Sequence, residues 1–144
     1  YLFISDRLRA VQQDITVQGL NCPWLLASAV RFHLWAELQF FGVAGVAEQG
    51  FSAVQNRSML CNALISALER DDALPVALHS ELLAYFVLLH ADEPPVLVGQ
   101  TATAPAAVLS SAPISFALSL ASAFDRRDAV SLRRHLRNAP LLAL

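Results

Sequence analysis

The chain has 144 residues and a mass of 15.6 kDa, enough for one domain with a real core and too little for two ordinary ones. Hydrophobic residues make up 56% of it, charged residues only 15%, and mean hydropathy is +0.47, which excludes an intrinsically disordered tail. Ten basic residues, all arginine, against twelve acidic ones leave a net charge of −2, which excludes a highly charged nucleic-acid-binding arm.

From Ser5 to Gln18, Leu8, Val11 and Ile15 recur at helical spacing, with Ser5 or Asp6 as the expected cap and Gly19 as the stop. Ala10 and Val17 fall on the opposite side of this helix, so it is expected to be covered on two faces. Asn21 is the expected cap of a second helix with Pro23 in its first turn, apolar on most sides from Trp24 through Phe41 and ending near Gly42 or Gly45. A third helix is expected from about Glu48 to Arg70, burying Phe51, Val54, Leu60, Leu64, Ile65 and Leu68, with an exposed turn at Asp71 and Asp72. Ala77 to Ala91 is apolar on every side, which marks a central helix. The proline-rich stretch from Pro94 to Pro113 reads as a connection. Ser111 with Pro113 then starts a helix to about Phe124, and Asp128 caps a last one through Asn138. About six helices and no strand with period-two alternation predict an all-α fold. Stacked antiparallel helix pairs of tetratricopeptide-like type, forming a right-handed superhelix, suit this order, without a strict 34-residue repeat.

The chain begins Tyr1-Leu2-Phe3-Ile4, with no initiator Met and no basic segment ahead of an apolar one, so residues 1–144 are expected to be a single helical domain within a longer protein. Cys22 and Cys61 stand alone, which offers neither a CxxC metal pair nor a disulfide framework and suits reduced, packed thiols. Residues 94–124 carry no formal charge, yet Pro94, Pro95, Pro105 and Pro113 with Gln100, Thr101, Thr103 and several serines argue against a membrane span. His33, Glu37, His79, Glu81, His90 and Asp92 could be gathered into a metal site on paper. There is no HExxH, however, and His79 and His90 fall on different sides of their helix, so no metal or cofactor is expected. Without GxSxG, a glycine-rich phosphate loop or a Cys–His pairing supported by local spacing, no enzymatic activity is expected either.

Asp6-Arg7-Leu8-Arg9-Ala10-Val11-Gln12-Gln13-Asp14, followed by Gln18, resembles the opening motif D-R-x-R-A-(I/V)-x-Q-D of the SAC3/GANP family, of leucine permease transcriptional regulator and germinal-centre-associated nuclear protein type. Ala29-Val30-Arg31-Phe32-His33 is similar to that family's A-R-F-H segment. Glu81-Leu82-Leu83-Ala84-Tyr85 with Leu88 and Leu89 is similar to its E-F-R-A-Y-x-L-L segment, in the expected order. Leu8 and Leu83 depart from the common Thr and Arg, and the proline-rich insert looks peculiar to this chain. The resemblance implies the helical part of a PCI-type scaffold, with a winged helix to follow. It implies a place at the nuclear pore, in the transcription-and-export complex that serves messenger RNA export. The partners implied are a second PCI protein and a small acidic Sem/DSS-type peptide, met mainly through the winged helix.

Within the opening motif, Asp6, Arg7, Arg9, Gln13, Asp14 and Gln18 are expected to form an internal network holding the first helix to the next rather than a partner-binding edge. Near the end, Arg126, Arg127, Arg133, Arg134 and Arg137 stand against Asp125 and Asp128. A solvated face explains them most simply, and contact with RNA or an acidic partner is the functional alternative. The other scaffold of this architecture is the proteasome lid or signalosome, against which the opening motif speaks, and a direct RNA-binding module is the third reading. The apolar excess suits an interior section of a stack, to be covered by neighbouring repeats, which predicts poor solubility of these residues alone.

Overall fold

The computed structural model of the chain describes residues 1–69 and 74–139. Among them are eight α-helices and one 3₁₀ turn, and no strand, as an all-α fold requires. The helices are α1 (Leu2–Val17), α2 (Pro23–Phe40), α3 (Ala53–Leu68), α4 (Val76–Leu89), α5 (Pro94–Ala102), α6 (Ala106–Leu109), α7 (Ala112–Asp125) and α8 (Ala129–Arg137), with the 3₁₀ turn at Val46–Gln49. Contacts divide the chain into two compact units, Tyr1–Ala73 and Leu74–Leu144. The expected turn at Asp71 and Asp72 lies outside the described residues.

In the first unit, α2 and α3 pack along each other, and α1 meets them through side chains, Tyr1 reaching Phe32 and Asn56 and Ser5 reaching Met59. The Tyr1 ring meets Phe32, Phe40 and Phe51 at centroid distances of 5.9, 5.8 and 5.0 Å, so the start of α1 sits at the later turns of α2. Thr16 and Val17, at the other end of α1, share a groove with Leu26 near the start of α2 and with Ala63 and Ser66 late in α3. α2 therefore runs antiparallel to both α1 and α3. The buried stripe of α3 is Asn56, Leu60, Ala63, Leu64, Ala67 and Leu68. Burying a leucine completely, as at Leu60 and Leu64, contributes about 1.5–3 kcal/mol each.

Several expectations are corrected here. α1 starts at Leu2, with Tyr1 as the residue before it, because Ser5 is drawn into the core at 4% exposure, where its hydroxyl meets Met59 Sδ at 3.5 Å instead of capping. α1 is covered on one face only. Phe3 and Val17 on the other side are 72% and 85% exposed. Cys22 rather than Asn21 precedes α2, without a side-chain cap, and Pro23 occupies the first turn as expected. α3 begins at Ala53, not Glu48, since Gly50 at φ +84° interrupts the chain and the Ser52 hydroxyl accepts from the Gln55 amide. Val54 and Ile65 share the exposed side of that helix.

In the second unit, α4 packs on α7, with α6 beside both and α8 against α7. α4 is buried at Leu78, His79, Ser80 and every position from Leu82 to Val87, as its all-round apolarity predicts. The segment expected to be a loop holds α5 and α6 instead. Pro94 and Pro95 occupy the first turn of α5, where a missing N–H costs nothing, and the Glu93 carbonyl accepts from the Val96 and Leu97 amides. Among the described residues no helix is long and apolar enough to cross a membrane.

Candidate functional site

The polar centre of the first unit is Asn56, fully buried on α3. Its Nδ2 donates to the backbone carbonyl of His33 at 2.9 Å and to Glu37 Oε2 at 2.8 Å. Its Oδ1 accepts from Tyr1 OH at 3.1 Å and lies 2.8 Å from His33 Nδ1. An amide has two donor and two acceptor positions, and all four are used. The orientation is self-consistent, because a flipped amide would turn its oxygen towards a carboxylate and a carbonyl, both acceptors. The same geometry puts the ring proton on Nδ1 of His33. Burial lowers the pKa of this histidine from the ordinary 6.5, and the hydrogen bond to Asn56 opposes that shift. The cluster therefore holds a neutral imidazole in a fixed tautomer and joins α1, α2 and α3 at one point.

The opening-motif residues lie elsewhere. Asp6, Arg7, Arg9, Gln13, Asp14 and Gln18 are all exposed on α1, so these side chains do not form the expected internal network. Arg7 stacks over its own helix neighbour Phe3, 5.4 Å from the ring centroid. Arg9 and Gln13, with Gln12, border a groove of about 270 Å³ between α1 and α3, where Gln12 Nε2 is buried without a hydrogen-bond partner. What ties α1 down is Tyr1 and Ser5, ahead of the motif, and Ile15, buried just after Asp14. Asn56 was missed from the sequence although a signal existed: it sits on the apolar stripe with Leu60, Ala63 and Leu64.

Arg31 lies on the exposed side of α2 in one stripe with Trp24, Trp35 and Leu38, which are 58%, 48% and 67% exposed. On α4, Tyr85 is buried and its hydroxyl donates to Glu81 Oε1 at 3.2 Å, an i, i+4 pair within one turn. The histidines and acids considered for a metal are dispersed. His33 faces Asn56, and His90 Nδ1 lies 3.4 Å from Glu93 Oε1 with its ring on Phe86. Among the described residues no group of three or more His, Cys, Asp or Glu is placed to hold a metal ion.

At the corner of α7 and α8 the structure brings the basic residues together. Arg126, Arg127, Arg133, Arg134 and Arg137 are all exposed. Asp128 starts α8 by accepting from the Val130 and Ser131 amides at 3.1 and 3.0 Å. Hydrogen bonds from Ser131, helped by the nearby Arg134 charge, hold its carboxyl below the ordinary range. Arg133, Arg134 and Arg137 with Val130 line one open depression of about 470 Å³. A neighbouring one of about 370 Å³ is formed by Phe124, Leu132, Ala123, Ala129, Arg127 and Asp128.

Comparison with known proteins gives one finding. Over residues 1–144 the chain matches the family model described as the SAC3/GANP family. No curated protein and no solved structure matches it significantly.

Proposed function

The chain belongs to the SAC3/GANP family, and from that membership we propose that it is a non-enzymatic scaffold module of the nuclear-pore-associated transcription-and-export complex, acting in messenger RNA export. The observation that carries this is the family match over 144 residues. The internal arrangement is in keeping with it. Tyr1, His33, Glu37 and Asn56 satisfy one another inside a helical unit and fix its shape, as a scaffold needs. The α2 stripe of Trp24, Trp35 and Leu38 suits a module covered by neighbours in an assembly. The partners are a second PCI-type subunit and a small acidic Sem/DSS-type peptide, met mainly through the winged helix that the family carries after this region, and the location is the nuclear pore.

Affinity purification of the tagged protein from its own cells, with poly(A) RNA imaged after depletion, tests the reading. Recovery of a second PCI subunit with pore components, and nuclear accumulation of poly(A) RNA, are the expected results. Co-sedimentation with proteasome particles would instead make the module a proteasome-lid or signalosome scaffold. Recovery of neither set sinks the export assignment.

A further inference from the structure

The α7–α8 corner carries five arginines against two aspartates over residues 125–137, in a chain whose total charge is −2. Of the two acids, Asp128 is engaged as the start of α8, where two backbone amides donate to it. Val130, Arg133, Arg134 and Arg137 recur at i, i+3, i+4 and i+7, which places them along one face of α8, and they line a single depression. The adjoining depression shares Ala129 with it and is of different chemistry. Phe124, 52% exposed, Leu132, Ala123 and Ala129 form its apolar lining, with Arg127 and the amide-bonded Asp128 at its edge. The surface thus sets an apolar pocket beside a row of guanidinium groups.

We propose that this corner is a docking site for an acidic segment of a partner protein, one that carries an aliphatic or aromatic anchor among carboxylates. The anchor enters the Phe124 and Leu132 pocket, and the carboxylates pair with Arg127, Arg133, Arg134 and Arg137. Charge complementarity selects an anionic partner, and guanidinium forks suit carboxylates bidentately. The apolar pocket favours a protein side chain over nucleic acid, since Phe124 is the one aromatic ring in its lining and gives successive bases no run of stacking faces. Val130, at 79% exposure at the start of the arginine row, also needs apolar cover. The site stands independently of the export reading, because it rests on the surface of α7 and α8 alone.

Fluorescence anisotropy on the 144-residue chain decides it. The probe is a labelled glutamate-rich peptide bearing a single Leu-Phe pair, and the comparators are the same peptide with that pair changed to Ser-Ser and an oligouridylate of equal charge. The Leu-Phe peptide is expected to bind best, by about tenfold or more over both comparators, and to weaken as salt rises. Arg133→Glu with Arg134→Glu, and separately Phe124→Ser, should each reduce its affinity about tenfold or more. Arg133→Gln with Arg134→Gln, which removes both charges without reversing them, is the second pair, and circular dichroism checks that every variant keeps its helix content. Equal binding of the two peptides, tighter binding of the oligouridylate, unchanged affinity in folded variants, or no binding of the Leu-Phe peptide each overturns the proposal.

Discussion

Asn56 and His33, on α3 and α2, are joined twice: the Asn56 amide nitrogen donates to the His33 backbone carbonyl at 2.9 Å, while its oxygen lies 2.8 Å from His33 Nδ1. One side chain thereby fixes both the backbone and the ring of its partner. Removing it in Asn56→Ala strands the buried imidazole N–H, leaves the His33 carbonyl with its helical bond alone, and frees Glu37 and Tyr1. The expected cost is about 2–3 kcal/mol in urea denaturation. Asn56→Asp keeps the shape but turns a carboxylate oxygen towards Glu37 Oε2 and the His33 carbonyl, so it should cost more, about 3–5 kcal/mol at neutral pH. If Asp were tolerated better than Ala, the hydrogen-bond assignment would be wrong.

The same pair makes the first unit sensitive to mild acid. Burial lowers the His33 pKa below the ordinary 6.5 that applies in the unfolded chain. Between the two values the unfolded chain binds a proton that the folded one does not, so acidification favours unfolding. The contribution is fully present above 6.5 and is lost as pH falls through the lowered folded value. The urea midpoint should fall between about pH 7.5 and about pH 5.5, and by less in His33→Gln. A midpoint that rises over this interval, or a His33→Gln variant with the same fall, contradicts the assignment.

Helix identity was legible wherever one strong signal acted alone, and less so where two competed. Apolarity on every side placed α4 at the centre of its unit, and the stops at Gly19 and the cap at Asp128 were plain. Prolines at 94 and 95 misled because the same residue breaks a helix inside and suits its first turn. Ser5 misled because a hydroxyl at a helix start reads as a cap, whereas Tyr1 and three phenylalanines distant in sequence pull that turn into the core. The opening motif identified the family, yet its polar residues are exposed, since burial of a helix face is decided by neighbours that its own periodicity does not reveal.

Buried and exposed apolar positions on α3 give that point a measurable form. Leu64 and Val54 were both expected in the core, but Leu64 is 0% exposed and Val54 83%. Leu64→Ala should cost about 2–5 kcal/mol through lost burial and the cavity left behind. Val54→Ala should stay within about 0.5 kcal/mol of the parent. Comparable losses at both sites in chemical denaturation would mean that the face of α3 packed on α2 has been misplaced.

Two helix ends of identical geometry carry different residues, and the difference predicts a stabilising substitution. After α1, Gly19 has φ +62°, its amide donates to Thr16 and the Leu20 amide donates to Ile15. After α7, Arg127 has φ +55°, its amide donates to Phe124 and the Asp128 amide donates to Ala123. Both are left-handed caps that close the last turn with a 6→1 and a 5→2 bond. Glycine occupies this conformation without strain, whereas a Cβ there crowds the following carbonyl. Arg127→Gly should therefore stabilise the second unit by about 0.5–1 kcal/mol, and Gly19→Ala should destabilise the first by about 1 kcal/mol. Hydrogen exchange at the α7 and α8 amides distinguishes this local gain from a global one, since slower exchange should concentrate on either side of residue 127. Faster exchange there in Arg127→Gly would show that the arginine side chain contributes more to the corner than its backbone strain removes.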